Sequence, residues 1–113
     1  MSVKIIESGE VVTAYLQGEI DHHTATDMRN EIDKAVNEKN PTMLVLDFKD
    51  VSFMDSSGIG LVMGRYKTIS EIGGELAIIN TTPQIGKVMK LAGMERLAKI
   101  GMEVTKNEGS KYF

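Results

Sequence analysis

The stretch that most constrains the fold is "TMLVLDF", residues 42–48, an unbroken apolar run with turn residues on either side. A strand buried on both faces reads this way, and such strands belong to parallel sheets covered by helices. The neighbouring segments have to supply that cover. Ala25, Met28, Ile32, Ala35 and Val36 precede the run at helical spacing, with Asp, Asn, Lys and Glu between them. Ile59, Val62, Met63, Tyr66, Ile69 and Ile72 follow it as a second helical stripe. The run therefore predicts a central strand between two helices.

The flanking punctuation agrees. Asp21 or Thr24 can cap the first helix, and Pro41 ends it by disfavouring a helical backbone at Asn40. Asp55 or Ser56 can cap the second, which Gly73–Gly74 stops. "ELAIIN" is a further strand. Thr82 and Pro83 then open a third helix that Gly93 closes. At the front, "VKIIES" and "VVTAYLQGEI" form a hairpin around Gly9–Glu10, with Val12, Ala14 and Leu16 on one face. A short strand is expected near residues 97–100, and residues 101–113 carry no clear period. The order β-β-α-β-α-β-α-(β) predicts an α/β fold with a mixed, mostly parallel four- to five-stranded sheet. Three helices are too few to cover both faces, so they are expected mainly on one. The 113 residues read as a single domain, 1–113.

Composition narrows the chemistry. Cysteine is absent, which excludes disulfides, thiol nucleophiles and thiolate metal sites and suits a reducing cytoplasm. No stretch approaches the roughly 18 apolar residues of a membrane span, and the first residues do not resemble a secretory signal. A net charge of −3, with few aromatics, argues against a direct nucleic-acid partner. The expected location is cytoplasmic.

"FMDSSGIGLVMGRY", residues 53–66, is where chemistry would be expected. The stretch lacks the G-x-S-x-G elbow of a serine hydrolase, and the two histidines, His22 and His23, lie elsewhere at a helix start. It also lacks the P-loop lysine and breaks G-x-G-x-x-G at Met63, so a nucleotide site has only a helix N-terminus in its favour. No metal-ligand spacing is present. No cofactor and no metal are expected. A helix cap and a modification site remain. One cap needs one polar residue, whereas Asp55, Ser56 and Ser57 make three, flanked by Met54, which reads as exposed, and by the small Gly58 and Gly60.

"GEIDHHTA" at 18–25, "FMDSSGIGLVMGRYK" at 53–67 and "IGGEL" at 72–76 resemble the anti-sigma factor antagonists of the STAS family, most closely those of the sporulation sigma F system. The resemblance runs through about residues 1–100 and implies a small STAS-like domain that is a regulator, not an enzyme. It implies that the unphosphorylated form binds an anti-sigma factor that is also a serine kinase, releasing the sigma factor. Phosphorylation would fall on Ser57, the second serine of the motif, and a PP2C-type serine phosphatase would reverse it. Asp21, Ser56, Gly58 and Ile59 match partner-surface positions. Family members commonly end in another amphipathic helix, which the polar tail here does not repeat. An antagonist in a related stress-response pathway, or a nucleotide- or small-molecule-binding STAS module, is the alternative.

Overall fold

The structure, a computed structural model, describes residues 2–96 and 99–100. Strands β1 (Val3–Ser8) and β2 (Val11–Ile20) form an antiparallel hairpin whose turn uses Gly9 at φ +60°. Helix α1 (His22–Lys39), strand β3 (Met43–Met54), helix α2 (Ser56–Glu71) and strand β4 (Glu75–Ile79) follow in turn. Helix α3 (Pro83–Leu91), a 3-10 turn (Met94–Arg96) and strand β5 (Lys99–Ile100) complete the described chain.

The five strands lie in the order β1-β2-β3-β4-β5, and every pair after the first is parallel. Each parallel step advances in the same direction through a helix. Crossovers of one hand then place α1, α2 and α3 on the same side. Their stripes meet the sheet there in one core: Met28, Ile32 and Val36 from α1, Leu61, Val62 and Ile69 from α2, and Ile85 and Met89 from α3. Val12, Ala14, Leu16, Leu44, Leu46, Leu76 and Ile78 supply the sheet face. A smaller cluster of Val45, Ala77 and Ile79 occupies the other face. The expected one-sided cover is what forms.

The caps resolve the alternatives left by the sequence. Asp21 caps α1 and Asp55 caps α2, while Thr82 caps α3 with Pro83 in its first turn. Asn40 ends α1 in the left-handed region at φ 46°, and Gly73 and Gly93 take φ +80° and +82° after α2 and α3. The expectation for residues 101–113 lies outside the described residues.

Two features depart from expectation. Strand β3 runs six residues past Phe48, through Lys49, Asp50 and Ser52, paired with β2. The pairing slips twice. Tyr15 to Gln17 spans two steps against three from Asp47 to Asp50, and Gly18 to Glu19 spans one against two from Val51 to Phe53. Each slip is a bulge with the extra residue on β3, and it breaks the alternation by which a strand is recognised. The second departure is the rotation of α2. Its buried line is Gly58, Leu61, Val62, Arg65 and Ile69, whereas Met63 and Ile72 are exposed. Met63 follows Val62 by one residue, about 100° around the helix, which carries it off the core face.

Candidate functional site

The long β2 and β3 strands end together. Ile20 pairs with Met54, and the Asp55 N–H donates to the Ile20 carbonyl at 3.1 Å. The residues that follow are Asp21 and Asp55, the N-caps of α1 and α2. Two helix N-termini and their capping carboxylates therefore lie side by side at the C-terminal ends of two interior strands, which form one edge of the molecule.

At the first cap, Asp21 Oδ1 accepts from the backbone N–H groups of His23 at 2.9 Å and Thr24 at 3.0 Å. The Thr24 hydroxyl accepts from the Asp21 N–H at 2.9 Å, completing a reciprocal box. The Thr24 backbone hydrogen bond, chiefly, holds the Asp21 carboxyl below its ordinary value, against the opposing effect of desolvation and with further help from the Thr24 hydroxyl and the His23 N–H. At the second cap, Asp55 Oδ1 accepts from the Ser57 N–H at 2.8 Å. Ser57 is thus fixed in the first turn of α2, with its backbone donor spent on the cap and its side chain half-buried.

The predicted residues divide by position. Asp21, Ser56 and Ser57 share the edge: Ser56 is exposed, and Asp21 is half-buried like Ser57. Gly58 is buried, and a Cβ there would overlap Cγ and Sδ of Met54. Met54 is therefore not the exposed residue expected from sequence. It packs against the core and crosses α2 where Gly58 leaves room. Ile59 is half-buried against the same core. Gly60 faces open space, and a Cβ at that position would meet nothing within 4 Å.

Sequence reasoning missed what lies behind Ser57. A groove of about 360 Å³ between α1 and α2 is lined by His22 and Ser57 near the helix starts and by Arg29 and Arg65 further on. Arg65 is only 5% exposed, and its Nε lies 2.9 Å from Asp33 Oδ1. The contact has the distance of an ion pair without the alignment of a hydrogen bond, and neither atom has another partner. Desolvation lowers the Arg65 pKa; Asp33 opposes that shift, and Arg29 adds to it. The available signal was spacing. Positions 57, 60, 61, 64 and 65 fall on one helical face, as do 22, 25, 26 and 29. Among the described residues, no group of His, Cys, Asp and Glu could hold a metal ion. None of the described helices is long and apolar enough to cross a membrane.

Comparison with known proteins covers nearly the whole of this architecture. Residues 2–107 match the STAS domain family. The anti-sigma F factor antagonist of Paenibacillus polymyxa is 37% identical over 90 residues, which are 80% of this chain and 77% of that one. The solved structure of the anti-sigma factor antagonist SpoIIAA in its unphosphorylated form superposes with a TM-score of 0.78 at 31% identity, over 94% of this chain and 90% of the other. The phosphorylated form of the Bacillus SpoIIAA superposes with a TM-score of 0.73 at 32% identity, over 94% of each chain.

Proposed function

The chain belongs to the STAS-domain family, and from that premise we propose that it is an anti-sigma factor antagonist whose docking is switched off by phosphorylation of Ser57. The observation that carries this reading is the placement of Ser57. Its side chain stands in the first turn of α2, half-buried next to exposed Ser56, where strands β2 and β3 hand over to the caps of α1 and α2. A hydroxyl in that position can enter another protein's active site. The unmodified form captures an anti-sigma factor that is also a serine kinase, and so frees the sigma factor. The kinase transfers phosphate to Ser57, the complex separates, and a PP2C-type phosphatase restores the hydroxyl. The protein acts by binding and not by catalysis, in the cytoplasm, within the sporulation sigma F pathway.

Magnitudes favour a switch at the interface over one that unfolds the domain. A phosphate adds about −1.5 to −2 charges. At an exposed helix N-terminus such charge is stabilising by about 0.3–1 kcal/mol. In a kinase site that already holds nucleotide phosphates, the same charge meets its like, and misplaced like charge costs several kcal/mol. The interface effect is the larger one. Likeness to a relative solved in both the phosphorylated and the unphosphorylated form supports the same reading.

Asp21 has two roles in this account. Its carboxylate caps α1 through Oδ1 and contributes a negative charge to the docking edge, facing a basic residue of the kinase. Incubation with the sigma F kinase and ATP, followed by mass mapping, tests the central assignment. One phosphate on Ser57 and none on the Ser57→Ala protein is expected. Phosphate on Ser56, or none at all, would overturn the assignment.

A further inference from the structure

The groove behind Ser57 carries more positive charge than its surroundings neutralise. Among the described residues, Arg29, Arg65 and His22 line it and no carboxylate does, and the acid set against an arginine there is Asp33. Burying one guanidinium beside another is unfavourable unless an anion joins them. Its small walls, Ala25, Gly60 and Gly64, leave an open path between the helix starts and the two arginines.

We propose that this groove is the receptor for the phosphoryl group carried by Ser57, held by Arg29 and His22 in the field of buried Arg65. Three observations select that occupant over a free anion. Ser57 itself lines the groove, so modification delivers the phosphate on a tether and at high effective concentration. Arg65 begins eight residues after Ser57, about 12 Å along the axis. Its guanidinium is held beside Asp33 Oδ1 at 2.9 Å, so it acts on the phosphate through its field, and Arg29, exposed on the same lining, is the cation that meets it. Finally, the Asp55 carboxylate already accepts the Ser57 N–H at 2.8 Å. The helix end offers the phosphate its dipole but no cation, and the groove supplies the arginines. Among the described residues, the titratable groups that line the groove with Ser57 are His22 and Arg29 from α1 and Arg65 from α2, with Asp33 of α1 set against Arg65 and the carboxylates of Asp21 and Asp55 capping the two helices. Within the groove they are all basic.

The inference rests on Ser57 being the modified residue, and it adds a consequence. The phosphorylated state is held by the protein's own cations, which engage the phosphate oxygens and slow its removal.

The test uses protein with phosphoserine installed at position 57 during translation, so that no kinase is needed. Phosphorus NMR then follows the second ionisation of the phosphate with pH, in folded and in urea-unfolded protein. Opposite charge nearby favours the dianion, so the folded value should lie about one unit below the ordinary value near 6. Arg29→Gln, at an exposed position, should remove most of that shift, and His22→Gln part of it. The Arg29→Gln phosphoprotein should also lose phosphate faster to a PP2C-type phosphatase. A folded value equal to the unfolded one, or a shift undiminished in both variants, would overturn the groove assignment. Failure of the kinase to modify Ser57 would instead remove the functional reading and leave this titration standing.

Discussion

Asp21 caps α1, and the proposed function gives it a second role at the docking surface that separates from the first by experiment. Asparagine is as good a cap as aspartate but carries no charge. Asp21→Asn should therefore melt close to the parent and bind the anti-sigma factor more weakly, whereas Asp21→Ala should lose stability as well. The carboxyl's pKa is lowered in the folded protein, so its stabilising contribution is present above the ordinary value near 3.9 and is lost as pH falls through the folded value. Thermal melts between about pH 5 and pH 2 should show a shallower loss for Asp21→Asn than for the parent. An Asp21→Asn protein with a lowered melting temperature and unchanged binding would assign Asp21 to the cap alone. At this scale much was legible from sequence, because caps obey local rules: Asp21, Asp55 and Thr82 each precede a helical stripe. Arg65 was not legible. A charged residue inside a stripe reads as its solvated side until a second helix is known to pack over it, and the Asp33 contact that tempers its burial is 32 residues away.

Among the elements, the paired ends of β2 and β3 matter most, because they bring the two caps together. The slips in their register are supported by Gly18 at φ +82°, beside the second bulge. A Cβ there would meet no atom within 4 Å, so the cost of Gly18→Ala is one of backbone conformation alone. It should destabilise the domain by about 1–2 kcal/mol, read as a lower urea midpoint with an unchanged slope. An unchanged midpoint would mean that the glycine is not needed to turn the strands. Strand β3 illustrates what periodicity can and cannot reveal. Its first half is apolar on both faces and announces itself, with only Asp47 breaking the run. That buried carboxylate is satisfied by the Asn80 side chain at 3.1 and 3.2 Å and the Lys49 N–H at 2.9 Å. Its second half has polar residues and two bulges, so neither an apolar run nor strict alternation survives. The second helix was recognised as a helix but assigned a rotated face, because Met63 and Ile72 are as apolar as the residues that are buried.

For the whole molecule, the one-sided architecture follows from the order of elements and from crossovers of a single hand, which is why it could be read before any packing was known. The same architecture explains why the switch can be local. The described core is built from α1, α2 and α3 on one sheet face, whereas Ser57 stands beyond the C-terminal end of β3 in a first helical turn. Charge added there changes the edge and the groove behind it without entering the core. The groove itself needed two helices in place before its arginines could be seen as neighbours. The most direct test of the account is the dissociation constant for the anti-sigma factor, measured for the unmodified protein and for the protein phosphorylated at Ser57. A penalty of about 3 kcal/mol at the interface predicts roughly hundredfold weaker binding of the phosphorylated form. Equal affinity of the two forms would contradict the account.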